Sequence, residues 1–232
     1  MLISGLQKMT LLDYPGLVAC TVFTGGCNFR CPFCHNAQLV LPKRMDGGNM
    51  EEEVLRFLKK RSGLLDGVAI TGGEPLLHED MADFLRRVRD LGYRIKLDTN
   101  GSFPERLRSL VEEGLVDRVA MDIKNAPLLY AKTVGEPRFD IEAVEHSKDY
   151  LLQGHVEYEF RTTVVRGLHT AESLCAAARW IEGASEYYLQ QYKDSGDIIA
   201  PYALSAFTDE EMRTLVEQVR SVLPAAQLRG IA

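Results

Sequence analysis

Short apolar runs alternate along the chain with longer segments of helical period. The runs Leu17–Phe23, Val68–Thr71, Arg94–Asp98, Arg118–Asp122, Glu157–Val164 and Tyr187–Gln191 read as strands. Between and after them, apolar positions recur every three to four residues near Glu51–Arg61, Met81–Leu91, Pro104–Glu113, Ile141–Leu152, Ala171–Glu182 and Asp209–Val222, which predicts helices. Two helix starts are marked by capping boxes, Asn49 with Glu52 and Thr208 with Glu211. The segments Asn36–Asn49 and Asn125–Asp140 carry Pro and Gly and read as loops.

Repeated β–α order implies parallel strands joined by right-handed crossovers. Six such units are visible, and a closed eight-unit barrel needs about 250 residues. The expected fold is therefore α/β, an open (β/α)6 arc or partial TIM barrel with helices outside. At 232 residues the chain is expected to be one domain, 1–232, with its last ~40 residues a C-terminal helical extension.

Composition narrows the class of partner. The net charge is −6 and the pI about 5.5, which disfavours a non-specific nucleic-acid binder. No apolar run is long enough to span a bilayer, and the first residues lack the apolar block of a signal peptide, so a cytoplasmic location is expected.

The five cysteines give the sharpest chemical signal. Cys27, Cys31 and Cys34 crowd into CNFRCPFC, whereas Cys20 lies in an apolar run and Cys175 in a helical segment, where free Cys acts as a small core residue. A structural zinc site wants four ligands, and His35 is awkwardly placed to be the fourth. A [4Fe–4S] cube held by three thiolates leaves one iron open for a non-protein ligand.

Other polar residues fall where predicted strands end, the rim at which such barrels bind ligands. The second strand runs into Gly72-Gly73-Glu74-Pro75, the third into Asp98-Thr99-Asn100-Gly101 and the fourth into Asp122 with Lys124 beyond; the fifth carries Arg161 and the sixth Gln190, Gln191 and Tyr192. Taken singly, Gly72-Gly73 and Asn100-Gly101 are turn signals, Asp98 is a candidate helix cap and Arg161 a candidate rim ion-pair partner. Two residues without side chains also expose backbone to a ligand, and an adjacent carboxylate can hold an amine.

Together, CNFRCPFC with Phe33 before the last cysteine, and GGEP later, resemble the radical S-adenosylmethionine (radical SAM) enzymes. The resemblance runs from about Gln7 to Tyr192. The opening LLDYPGLVACTVFTGGCNFRCPFCHN, then LDTNG and MDIK, is similar to the glycyl-radical enzyme activating group, most of all to the longer form of the anaerobic ribonucleoside-triphosphate reductase activating proteins. The resemblance implies that Cys27, Cys31 and Cys34 hold a [4Fe–4S] cluster whose fourth iron takes the amino and carboxylate groups of SAM. It implies Gly72, Gly73 and Glu74 at the SAM amine with Thr71 nearby, Asn100 near the ribose, Phe33 near the adenine and Arg161 as a carboxylate partner. Similarity to pyruvate formate-lyase activase implies a monovalent cation at Asp98, Thr99 and Asp122. No catalytic residue beyond the cluster and bound SAM is implied.

The chemistry that the resemblance implies is reductive cleavage of SAM to a 5′-deoxyadenosyl radical, followed by hydrogen abstraction from a glycine of a partner enzyme, probed transiently as a flexible loop. The resemblance also implies a low-potential electron donor such as flavodoxin or ferredoxin. Neither nucleic acid nor membrane is an expected partner. No cysteines are present for the ferredoxin-like insert of many activases, so no auxiliary cluster is expected. The competing readings are a small-molecule radical SAM enzyme of the 7-carboxy-7-deazaguanine synthase type, and a cluster- or zinc-binding module without turnover.

Overall fold

The computed structural model describes residues 1–40, 50–193, 198–200 and 204–231. Among these residues eight strands form one sheet in sequential order: β1 (Ile3–Thr10), β2 (Ala19–Thr24), β3 (Gly67–Gly72), β4 (Arg94–Thr99), β5 (Arg118–Asp122), β6 (Glu157–Val164), β7 (Tyr187–Gln191) and β8 (Ala226–Arg229). From β2 to β8 every neighbouring pair is parallel, and β1 is antiparallel to β2. Among the described residues β1 and β8 do not pair, so the sheet stays open.

The helices in chain order are α1 (Ala37–Val40), α2 (Glu51–Arg61), α3 (Met81–Asp90), α4 (Pro104–Glu112), α5 (Tyr130–Val134), α6 (Glu142–Leu152), α7 (Ala171–Trp180) and α8 (Asp209–Arg220). All six expected strands and six expected helices form, within about two residues at their ends. The expected box at Thr208 is present, its hydroxyl accepting from Glu211 N at 3.3 Å while the Glu211 carboxylate accepts from Thr208 N at 2.7 Å. Asn49 lies outside the described residues, as does most of the Asn36–Asn49 loop. A second box, Thr170 with Ser173, starts α7.

Two strands exceed the sequence expectation. Strand β1 carries an exposed Gln7–Met9 stretch and two register irregularities, so it shows no clean alternation. Strand β8 is too short for a periodic signal, but it pairs in register with β7. The C-terminal region is therefore not a helical extension: α8 and β8 add a further β/α unit to the sheet. Arg229 of β8 anchors it, donating to both oxygens of the fully buried Glu159 on β6 at 2.7 and 3.1 Å.

Strand alternation sorts the residues by face. On β4 and β6, Ile95, Leu97, Tyr158, Phe160 and Val164 join the apolar core under the helices. The intervening Lys96, Asp98, Glu159, Arg161 and Thr163 face the inside of the arc, which is consequently polar and charged. Amphipathic helices such as α3, with Phe84, Leu85 and Val88 buried, close the outer layer.

The Asn125–Asp140 segment is not a plain loop. It holds a 3-10 turn at Pro127–Leu129 and helix α5, in which Tyr130, Thr133 and Val134 are buried. Buried Asn125 fixes its start, donating from Nδ2 to Thr133 Oγ1 at 2.9 Å and to Leu168 O at 3.1 Å while Oδ1 accepts from Ala126 N. The Pro and Gly there mark turns around a short helix rather than an unstructured mouth.

Candidate functional site

A cavity of about 320 Å³ opens at the ends of the parallel strands, and all three clustered cysteines line it. Cys31 is buried, while Cys27 and Cys34 are half-buried. Burial pushes the Cys27 thiol up to about 11 and that of Cys31 to about 12, so metal binding there releases protons. Cys20 lies fully buried on the opposite face of β2, and Cys175 sits on α7 with its thiol donating toward Gln218 O at 3.6 Å.

Two glycine pairs set the shape of this cysteine loop. Gly73 N donates to Thr24 O at 2.9 Å and Glu74 N donates to Gly26 O at 2.8 Å. A Cβ on Gly73 would overlap the Gly26 carbonyl, and Gly72 holds φ at +117° against the Thr24 backbone. The close backbone approach between the loops after β2 and β3 is therefore what demands glycine, more than exposure to a ligand.

The fit to an iron–sulfur cluster rests on the donor set. Among the described residues no three His, Cys, Asp or Glu side chains converge as ligands of a single metal ion. A cube takes one thiolate per iron and so needs its thiols spread around one side of a cavity. Three soft sulfur donors on one cavity suit the cluster and not a closed zinc knot.

On the same cavity as the thiols the inner face carries an ion-pair network. Arg161 bridges two carboxylates, donating from Nη1 to Asp98 Oδ2 and from Nε to Asp122 Oδ1, each at 3.1 Å. Lys96 pairs with Asp98, and Lys124 with Asp122 at 2.9 Å. Burial opposes ionisation of Asp122, but Lys124 and Arg161 outweigh it and hold its carboxyl at about 2. Burial likewise opposes charge on Lys124 and Arg161, and their carboxylate partners more than offset it. Arg161→Ala leaves two half-buried carboxylates with one lysine each; a loss of about 1–3 kcal/mol in denaturant unfolding is expected.

This network bears on the expected cation site. Asp98 and Asp122 line the cavity, but three protein cations already face these two carboxylates. The Thr99 hydroxyl donates to Glu74 Oε1 at 2.8 Å. In this arrangement the side chains of Asp98, Thr99 and Asp122 do not offer an open set of oxygens to a further cation.

Glu74 occupies a different place from the one its motif suggests. Its side chain is fully buried and is absent from the cavity wall, which at this point consists of Thr71, Gly72 and Gly73. Oε1 accepts from Leu76 N at 3.0 Å and from Thr99, and Oε2 accepts from Asn100 N at 2.7 Å. Burial raises its pKa to about 7 despite these three donors. Glu74 thus ties the loop after β3 to the loop after β4.

Phe33, Thr71, Gly72, Gly73, Asn100 and Arg161 all line the cavity with the cysteines. Asn100 Nδ2 donates to Asn28 Oδ1 at 3.0 Å and lies 3.9 Å from Cys27 Sγ. Sequence reasoning passed over Asp13, Asn36 and Thr163, which also reach the cavity. Thr163 was findable, being two residues from Arg161 and so on the same strand face. Asp13 had no local signal; its carboxylate accepts from Thr21 Oγ1 at 2.5 Å across the turn between β1 and β2.

Comparison with known proteins agrees with this geometry. The model of the radical SAM superfamily matches residues 21–172. A protein of Methanocaldococcus jannaschii assigned as a glycyl-radical enzyme activating enzyme is 31% identical over 203 residues, covering 84% of this chain and 82% of that one. A probable GTP 3′,8-cyclase of Thermococcus kodakarensis is 29% identical over 154 residues, 64% of this chain and 48% of its own length. The pyruvate formate-lyase-activating enzyme of Clostridium pasteurianum is 32% identical over 129 residues, 53% of this chain and 52% of that enzyme. Among solved structures, Streptococcus suis SuiB bound to its precursor peptide SuiA superposes with a TM-score of 0.71 at 16% identity, over 90% of this chain and 48% of that one, a likeness of fold.

Proposed function

The chain belongs to the radical SAM superfamily of enzymes, which use a [4Fe–4S] cluster and S-adenosylmethionine, and on that premise we propose that it generates a glycyl radical on a partner protein, the anaerobic ribonucleotide reductase. The observation that carries the reading is the convergence of Cys27, Cys31 and Cys34 with the Asp98–Arg161–Asp122 network on one cavity. The similarity to an assigned glycyl-radical enzyme activating enzyme over most of both chains supports the reaction class.

In this reading Cys27, Cys31 and Cys34 hold the cluster, which with SAM supplies one-electron cleavage of a carbon–sulfur bond. The other residues that line the cavity bind and orient. The Arg161 and Lys124 cations match the carboxylate of an amino acid moiety, whose amine the Gly72-Gly73 segment would take. Thr71, Gly72 and Gly73 present a wall that is mostly backbone, Phe33 gives a buried aromatic face, and Asn100 supplies an amide at the cysteine side. Among the described residues β1 and β8 do not pair, and a partner's loop is read as entering the arc there. A loop that orders on entry loses entropy, so the complex is expected to be transient. The electron donor is read as a low-potential protein, flavodoxin or ferredoxin.

The test is to mix the reduced protein and SAM with the anaerobic ribonucleotide reductase of the same organism and record EPR. A glycine-centred doublet that needs both this chain and SAM is the expected result. Efficient SAM cleavage with no radical on that reductase, or on any other glycyl-radical enzyme of the organism, overturns the activase reading. It would select a small-molecule substrate instead, a reading that the similarity to a GTP 3′,8-cyclase favours.

A further inference from the structure

The spacer between the first two cysteines is gripped from outside the cysteine motif. Arg30 N donates to Val134 O at 2.8 Å, joining the spacer to the C-terminus of α5. Gly135 follows in the left-handed region at φ +68°. A Cβ there would overlap the Arg30 carbonyl oxygen and sit 2.9 Å from its carbonyl carbon and 3.4 Å from its Cβ. Glycine is thus required twice at this position, by its backbone angle and by the backbone that it touches.

Arg30 also closes the spacer on itself. Its Nη1 donates to Cys27 O at 2.5 Å and to Phe29 O at 2.7 Å. Phe29 in turn meets Phe139 edge-on at 4.9 Å, and Phe139 stacks on buried Tyr130 at 5.7 Å. The Tyr130 hydroxyl donates to Asp122 O at 3.3 Å. The segment that leaves β5 with Asp122 and Lys124 therefore returns to clamp the spacer between Cys27 and Cys31.

We propose that Gly135 and Arg30 are positioning residues for the cluster: they hold the Cys27–Cys31 spacer in its ligating shape through contact with α5, although neither donates to the metal. The proposal rests on the three cysteines holding a cluster as read above. It predicts that cluster retention depends on a residue 101 positions beyond Cys34, the last of the clustered cysteines.

The experiment compares wild type with Gly135→Ala, Arg30→Met and Gly154→Ala after anaerobic reconstitution. Gly154 is also left-handed, at φ +75°, but none of the described residues lies within 4 Å of its Cβ position, so it controls for backbone strain alone. The readouts are iron and sulfide content, the rate of iron release to a ferrous chelator, the EPR spectrum of the reduced cluster, and the thermal melt. Gly135→Ala and Arg30→Met are expected to release iron at least ten-fold faster than wild type with an altered EPR line shape. Gly154→Ala is expected to match wild type in both while melting below wild type but above Gly135→Ala. Because Arg30→Met leaves the glycine untouched, it reads the clamp even if Gly135→Ala folds poorly. Iron release from Arg30→Met at the Gly154→Ala rate, with an unchanged spectrum, overturns the inference and leaves the cluster reading intact. Wild-type protein that takes up no iron and sulfide overturns the cluster reading itself, and this inference with it.

Discussion

Cys31→Ser is expected to reconstitute with well under one iron per chain, where the wild type takes up about four, and to lose SAM cleavage with the cluster. Cys31 is the most buried of the three clustered thiols and lies in the middle of the motif. A serine hydroxyl is a harder and far less acidic donor, so the iron it faces loses its ligand. The remaining pair, Cys27 and Cys34, lies at the two ends of the loop and cannot hold a cube from one side. Cys175→Ser, on α7 outside the cavity, should retain iron, sulfide and turnover close to wild type. The measurement is metal and sulfide analysis with SAM turnover under anaerobic conditions. Full iron in Cys31→Ser, or one zinc and no sulfide in the wild type, sinks the assignment.

The parallel core was legible because each of its strands is an apolar or alternating run bounded by turn residues, as in Arg118–Asp122 and Glu157–Val164, whose predicted and observed ends coincide. Strands β1 and β8 were not, because edge strands are specified by their neighbours: Gln7–Met9 face solvent, and Ala226–Arg229 becomes a strand only by pairing with β7. The convergence of the cysteines, Gly72-Gly73, Asp98, Asn100, Asp122 and Arg161 followed from strand-end placement alone, since parallel strands send all their C-terminal ends to one rim. What strand placement does not convey is which way a charge is already spent. Asp98 reads as a candidate helix cap in sequence, and with Asp122 as a cation ligand only through the family resemblance; in the structure partners on β4, on β6 and just beyond β5 pair with both. Glu74 likewise reads as a residue facing a ligand, and only the three-dimensional path of the loops shows its carboxylate turned into the wall.

That reversal gives Glu74→Ala a distinctive expected outcome. A carboxylate that touched only a ligand would, when removed, weaken SAM binding and leave the apo fold as stable as before. Here its loss strands the amides of Leu76 and Asn100 and the hydroxyl of Thr99 in a fully buried setting. Each unsatisfied buried group costs about 1–3 kcal/mol, so the apo protein should lose about 3–5 kcal/mol overall after partial relaxation. SAM affinity should fall as well, because Asn100 is held in place through this carboxylate; a loss of 2 kcal/mol in binding is about thirty-fold. Glu74→Gln keeps one acceptor oxygen and turns an N–H toward another N–H, so it should lie between the two in stability. Denaturant unfolding of the apo protein and SAM titration of the reconstituted protein read the two effects separately. A Glu74→Ala protein that unfolds at the wild-type denaturant concentration but binds SAM thirty-fold more weakly would return this side chain to the SAM amine and remove it from the wall.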